Sequence, residues 1–403
     1  MQTQLSETLL STAQGQEADA ILRSCVHCGF CNATCPTYQL LGDELDGPRG
    51  RIYLIKSLLE DAEVTRTTQL HLDRCLSCRA CETTCPSGVQ YGRLADIGRG
   101  VIEQRVKRPW RERVLRRMLR VITPYPARFA VALRLAQWCK PLLPARLRRS
   151  VPPRQKNRAW PVTDNRRRML ILDGCAQPAL APNINAAAAR VLDKLNISLI
   201  RPQNAGCCGA ISYHLGAHEE GLNFMRRNIT AWWPHIIKGG AKAIVITASG
   251  CGSLVKEYGH LLQHDPDYAE KAARVSAMTH DISEVLVQQD LSVLKPVTGK
   301  KIACHAPCSL QHAQKLPGAV ENILGKLGFE LTDVPDAHLC CGSAGTYSIT
   351  QPELSQELLK NKLTALQSGS PECIVTANIG CLAHMQSASN IPVKHWIELL
   401  DTV

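Results

Sequence analysis

Cys25-Val26-His27-Cys28-Gly29-Phe30-Cys31-Asn32-Ala33-Thr34-Cys35-Pro36 and Cys75-Leu76-Ser77-Cys78-Arg79-Ala80-Cys81-Glu82-Thr83-Thr84-Cys85-Pro86 decide how this chain is read. Both stretches spell C-x2-C-x2-C-x3-C-P. Three thiolates two residues apart can wrap one corner of an iron–sulfur cubane and bind three of its irons. The fourth cysteine then points away and caps a second cluster. The spacing therefore predicts two [4Fe–4S] clusters. Cys25, Cys28, Cys31 and Cys85 hold the first, and Cys75, Cys78, Cys81 and Cys35 hold the second. Each proline lacks an amide N–H and fixes φ where the chain leaves its cluster. Structural zinc uses two separated C-x2-C pairs, a pattern these runs do not follow.

The 39 residues between Cys35 and Cys75 are expected to be helical after Gly50, with Ile52, Ile55, Leu58 and Leu59 on one face.

Past Arg168 the chain repeats itself. Met169–Asp173 leads to Gly174-Cys175, and Lys301–Cys304 leads to Pro307-Cys308. Cys207-Cys208-Gly209 recurs as Cys340-Cys341-Gly342, 32 positions after Cys175 and Cys308 respectively. Ile246-Thr247-Ala248-Ser249-Gly250-Cys251 is echoed by Val375-Thr376-Ala377-Asn378-Ile379-Gly380-Cys381. His280-Asp281-Ile282 is echoed by His395-Trp396-Ile397. Short apolar runs at Ile197–Ile200 and Ala243–Thr247 alternate with helical segments such as Ala186–Leu195. That alternation predicts parallel α/β lobes. Ligand sites in such sheets lie beyond the carboxyl ends of strands, where these cysteines fall. Cys175, Cys207, Cys208 and Cys251 are expected to converge in one half, and Cys308, Cys340, Cys341 and Cys381 in the other. Each set is a candidate for a further cluster or a thiol site. Cys304 lies outside the repeat register, and Cys139 and Cys373 read as structural. His214, His305, His312 and His384 read as satisfied side chains. His384 is the notable one, three residues after Cys381, where a C-x2-C partner would stand.

The chain has 403 residues, 19 cysteines and a net charge of +12. So many thiols behind an N-terminus with neither basic head nor apolar run point to metal ligands, not a secreted disulfide scaffold. No apolar stretch approaches the ~18 residues of a membrane span. Between Arg105 and Arg158 stand 17 Lys and Arg against one acid, Glu112. Val114, Leu115, Met118, Leu119 and Ile122 recur there at helical spacing. The segment reads either as a solvated linker with one packed face or as a docking surface for an anionic membrane or an acidic partner. Nucleic acid is the less favoured partner. No dinucleotide-binding G-x-G-x-x-G, P-loop, G-x-S-x-G or H-E-x-x-H is present. A two-electron cofactor is therefore expected on another subunit.

Two C-x2-C-x2-C-x3-C-P motifs followed by two Cys-Cys-Gly modules resemble the iron–sulfur subunits of bacterial respiratory 2-hydroxyacid and glycerol-3-phosphate dehydrogenases. They are also similar to the CCG subunits of heterodisulfide reductases. Cys25–Pro36 with Tyr38, Gly47-Pro48-Arg49-Gly50-Arg51, Gly174-Cys175-Ala176-Gln177-Pro178, Gln311-His312-Ala313-Gln314 and Leu339–Gly345 most resemble the glycolate oxidase members.

The resemblance implies an α+β multidomain chain. A helical two-cluster ferredoxin domain over 1–104 and a basic Pro-rich amphipathic linker over 105–165 precede a duplicated α/β CCG domain, with halves 166–290 and 291–403. It further implies a flavin-bearing partner that oxidises glycolate to glyoxylate, a quinone-type acceptor, and a peripheral place on the cytoplasmic side of the bacterial inner membrane. Lactate or glycerol-3-phosphate dehydrogenase subunits and a thiol–disulfide reductase are the alternatives. Reductase-type modules end in C-x2-C, whereas here Leu254 and His384 hold that last position, which counts against disulfide reduction.

Overall fold

The computed structural model describes residues 1–401 apart from 143, 145–147, 149–150, 156–157 and 295–298. The N-terminal region is helical. Pro48 starts the helix Pro48–Leu59, a position that needs no amide donor, and Ile52, Ile55, Leu58 and Leu59 are all buried. Their face packs on the helix Tyr91–Arg105, which buries Leu94, Ile97 and Ile102. The two helices approach closely at Gly98, where an added Cβ would lie 2.8 Å from Ile55 Cγ1.

Each half of the repeat forms one four-stranded parallel sheet. In the first lobe the strands are β1 (Arg167–Ile171), β2 (Ile197–Ile200), β3 (Ile244–Ile246) and β4 (Thr279–Asp281), in spatial order β2-β1-β3-β4. The second lobe holds β5 (Lys301–His305), β6 (Glu330–Leu331), β7 (Cys373–Thr376) and β8 (Val393–His395), in order β6-β5-β7-β8. The topology is the same in both. Leu170 pairs with Ile244, and His305 with Thr376. Parallel strands need crossover helices, which cover both faces of a sheet and account for the uninterrupted apolar β3 and β7. Cys373 lies buried within β7.

One apolar core runs through both lobes, joining Ile171, Val191 and Leu192 to Ile302, Ile374 and Trp396. At the seam Ser249 Oγ meets Ser309 Oγ at 2.8 Å, and His395 Nε2 bonds the Thr247 carbonyl at 2.8 Å. The segments that follow β3 and β5 thus meet at the seam, and the helical region packs Leu76 and Cys78 against Cys308 and Cys340 of the second lobe. That region is tied to the first lobe by ion pairs. Arg79 binds Glu257, Asp96 binds His214 Nδ1 at 2.9 Å, and Glu17 binds His260 Nε2 at 2.9 Å.

The basic segment, part of which lies outside the described residues, carries helices Trp110–Ile122 and Pro126–Trp138. The expected packed apolar face is not found. Neither helix buries a residue, and Val114, Leu115, Met118 and Val121 are exposed. Arginines make the contacts instead. Arg116 binds Asp73 at 2.9 Å, and Arg120 pairs with Glu220 of the first lobe. Carboxylates on the neighbouring elements draw Arg116 and Arg120 inward, which leaves Leu119 and Ile122 half-buried and the other apolar residues outward beside Arg111, Arg113 and Arg117. No helix among the described residues is long and apolar enough to cross a membrane.

Candidate iron–sulfur and thiol centres

Both N-terminal motifs wind through the same backbone states. His27 (φ 60°) and Gly29 (φ 88°) are left-handed in the first motif, as are Ser77 (φ 52°) and Arg79 (φ 61°) in the second. For Arg79 that conformation carries strain, and its side chain is engaged by a half-buried ion pair with Glu257. Repeated left-handed residues curl the chain around a point. The Ser77 N–H accordingly donates to Cys75 Sγ at 3.4 Å.

Cys25, Cys28, Cys31 and Cys85 line one cavity, walled by Ile52, Val89 and Tyr91. Cys35, Cys75, Cys78 and Cys81 line the next, with Arg51 and Tyr91. Cys81 reaches both. Each cavity receives three cysteines of one motif and the last cysteine of the other. Four convergent thiols in a largely apolar wall are a donor set that fits a thiolate-bound cubane.

The two cavities differ in their surroundings. The first lies near the surface: Cys28 is exposed, as are Val26, Phe30 and Tyr53. Burial pushes the Cys31 thiol up to about 11, helped by Cys25. The second is enclosed and has a buried cation. Arg51, 1% exposed, donates to the His71 carbonyl at 2.7 Å, to Thr37 Oγ1 at 3.1 Å and to Asp46 at 3.3 Å, and its Nη1 lies 3.9 Å from Cys35 Sγ. Burial raises the Cys75 thiol, but Arg51 and Arg99 outweigh it, so Cys75 falls below the ordinary thiol range.

The lobe cysteines converge as well. Cys175, Cys207, Cys208 and Cys251 stand next to one another in that order, near enough that each raises its neighbour's thiol or is raised by it. The second lobe repeats the chain from Cys308 through Cys340 and Cys341 to Cys381, with Cys308 and Cys340 sulfurs 4.0 Å apart. The glycine after each vicinal pair has a local cause. Gly209 (φ 97°) and Gly342 (φ 85°) turn left-handed, and each donates its N–H to the first sulfur of its pair at 3.4 Å. An added Cβ would meet the Gly221 carbonyl at 2.7 Å or the Ser355 carbonyl at 2.5 Å.

The lobes diverge in what touches these thiols. Leu76 and Cys78 of the helical region pack with Cys308, Cys340 and Tyr347, so the second-lobe thiols abut the enclosed cysteine cavity. In the first lobe Asn228 bonds the Cys207 carbonyl at 2.8 Å and Tyr258 bonds the Cys208 carbonyl at 2.7 Å.

The histidines sort differently from the sequence expectation. His214 is paired with Asp96. His312 spans Thr83 Oγ1 and the His338 carbonyl, both at 3.0 Å. His384 bonds Ser355 Oγ at 3.1 Å through Nε2. His305 is not a fully satisfied core residue. Its Nδ1 meets Thr376 Oγ1 at 2.9 Å, while its buried Nε2 has no partner. Its ring stands with the Cys341 and Cys381 sulfurs, their ligand atoms within 4.8 Å of one another. Burial lowers its pKa to about 3, so the ring is neutral.

Comparison with known proteins follows this division. Residues 21–89 match a family described as a 4Fe-4S dicluster domain, and residues 169–256 and 302–386 match one described as a cysteine-rich domain. The glycolate oxidase iron-sulfur subunit of Escherichia coli (strain K12) is 58% identical over 402 residues, covering 100% of this chain and 98% of that protein. The probable glycolate oxidase iron-sulfur subunit of Bacillus subtilis (strain 168) is 31% identical over 400 residues, covering 91% and 88% respectively. Lactate utilization protein A of Bacillus velezensis is 27% identical over 238 residues, which is 57% of this chain and 96% of the relative.

Proposed function

The chain belongs to the family of glycolate oxidase iron–sulfur subunits, and on that premise we propose that it is the electron-transfer subunit of a membrane-associated glycolate dehydrogenase complex. Glycolate loses two electrons and two protons to a flavin on a partner subunit and leaves as glyoxylate. A quinone-type acceptor takes the electrons at the far end. Cubanes held by this chain would supply one-electron relay chemistry between flavin and acceptor. Cys25, Cys28, Cys31 and Cys85 bind one, and Cys75, Cys78, Cys81 and Cys35 bind the other, within a ferredoxin domain of residues 1–104.

The observation that carries this reading is the pair of adjoining four-cysteine cavities, one near the surface and one against the second lobe. The exposed apolar side chains Val26, Phe30 and Tyr53 near Cys28 suit a landing surface for the flavin-bearing subunit. Arg51 and the Ser77 N–H offset thiolate charge at the enclosed site, and the apolar walls exclude water. Residues 105–165, with exposed Trp110, Val114, Met118 and Trp138 among arginines, suit peripheral contact with an anionic bilayer. The lobes, 166–290 and 291–403, present their eight cysteines as a further cluster or thiol site.

The test is reconstitution with and without the flavoprotein. Glycolate should reduce the clusters only when the partner is present, and turnover by the pure chain would contradict the reading. Within the chain, Cys85→Ala should abolish the EPR signal of the cluster at Cys25, Cys28 and Cys31. Loss confined to the cluster of its own motif would overturn the assigned ligands. Binding to anionic vesicles should weaken steadily as salt screens the arginines; salt-independent binding would remove the electrostatic account.

A further inference from the structure

We propose that the second lobe alone holds a mixed imidazole–thiolate metal site, with His305, Cys341 and Cys381 as ligands. The inference rests on reading the second-lobe cysteines as a metal site, and it is independent of the substrate and of the two cubanes.

The geometry has three parts. First, the two sulfurs and the imidazole nitrogen are mutually within 4.8 Å, and all three residues are buried. Second, His305 is 3% exposed and its Nε2 has no hydrogen-bond partner. A buried ring nitrogen left bare costs free energy unless something else meets it. Third, Nδ1 is engaged by Thr376 Oγ1 at 2.9 Å. A proton on Nδ1 donated to that hydroxyl leaves the Nε2 lone pair unshared, the usual state of a metal-binding histidine. Cys308 and Cys340 lie beside this triad and can supply a fourth ligand.

The first lobe is the built-in control. The residue three before Cys175 is Leu172, where three before Cys308 stands His305. Leu172 is buried in the apolar cluster with Cys208. The threonine matching Thr376 is Thr247, and it bonds Asn185 and Gln177. A second difference lies opposite the thiols. Asn228 approaches the first-lobe pair, whereas the second lobe buries Lys362, 3% exposed, whose ammonium donates to the Asp336 carbonyl at 2.9 Å. On metal binding Cys341 and Cys381 each lose a proton to solvent, and the Lys362 ammonium partly balances the resulting anionic site.

Two thiolates and an imidazole suit zinc or iron. With either metal, the site would adjoin Cys308 and Cys340, which pack with Cys78 of the helical region.

The test uses the anaerobically purified complex, with iron and zinc measured per chain and cubane EPR as an internal standard. Relative to wild type, His305→Leu and Cys381→Ser should each lose about one metal ion or more per chain, with both cubane signals retained. His305→Cys, which keeps a ligand, should retain the metal with an altered X-ray absorption spectrum, a readout that serves for iron and zinc alike. The element lost tells iron from zinc. Metal lost from Cys381→Ser but kept in His305→Leu would overturn the role of the histidine. Metal kept in both would overturn the site. If His305→Leu also loses its cubanes through misfolding, His305→Cys decides: metal with a wild-type spectrum there would contradict histidine ligation.

Discussion

The two lobes repeat one topology and one set of four cysteines, yet it is the second lobe's Cys308 and Cys340 that pack with a cysteine of the helical region, Cys78. The first lobe holds the helical region from its flank, through Arg79–Glu257 and Asp96–His214. The second presents its thiols to Cys78 and Leu76. Duplication therefore supplied two equal scaffolds that meet the helical region unequally: the first lobe through ion pairs at its flank, the second through its thiols.

The largest effect should come from the cation at the enclosed site. Arg51→Gln leaves Asp46 buried with fewer partners, for a loss of about 3–5 kcal/mol of stability. It also removes the positive charge beside Cys35. Redox titration followed by EPR should show the potential of the Cys75-motif cluster falling while the other holds. Equal shifts in both would erase the difference between the cavities.

Substitution of the paired glycines sharpens the comparison. Gly342→Ala and Gly209→Ala each force a side chain into a left-handed position against a carbonyl, at about 1–3 kcal/mol or more. The thermal penalties should be similar. Only Gly342→Ala should slow electron delivery to a quinone, because Cys340, which its N–H bonds, packs with Cys78. Equal slowing would mean both lobes carry current.

Acid should separate the lobes more gently. Glu284 and Glu398 each accept an amide hydrogen bond from the residue three before, Asp281 and His395. Burial raises Glu284, but His280, Lys256 and the Asp281 amide outweigh it and hold it at about 2, below its ordinary 4.5. Its contribution is full above 4.5 and is lost as pH falls toward 2, about 1–2 kcal/mol after allowance for screening. Glu398 is raised by burial. Its contribution is present below 4.5 and fades as pH rises through its raised value. Burial raises the adjoining Asp281 to about 6, which offsets Glu284 within the first lobe. Burial lowers His305 to about 3 and His395 to about 4 in the second lobe, so their contribution is full above 6.5 and is lost as pH falls. Hydrogen exchange, corrected for intrinsic rate, should therefore show the second-lobe strands opening before the first as pH drops. The reverse order would contradict these assignments.

Much of this was legible in the cysteines. Cluster ligands are set by local spacing, so C-x2-C-x2-C-x3-C-P carries its own geometry. The duplicated topology showed in the ordered repeats, because strand ends and vicinal cysteines kept their separation. Three features were not legible. His305 sits at the end of a strand, and a single histidine there has no periodicity. Its mismatch with Leu172 across the repeat is the one signal that could have singled it out, while His384 drew notice through spacing alone. The outward apolar face of Trp110–Ile122 was hidden, since periodicity gives amphipathicity but not which face is covered. That choice was made by Asp73 and Glu220, distant in sequence. Which lobe meets the cubanes likewise depends on long-range contacts such as Arg79 with Glu257, 178 residues apart.

The most direct measurement is glycolate-driven quinone reduction by the assembled complex, with cluster EPR recorded during turnover, for Cys308→Ser/Cys340→Ser beside Cys175→Ser/Cys207→Ser. The account predicts that the second-lobe variant accumulates reduced cubanes and fails to reduce quinone, while the first-lobe variant keeps a near wild-type rate. Wild-type quinone reduction by the second-lobe variant, or equal loss in both, would contradict it.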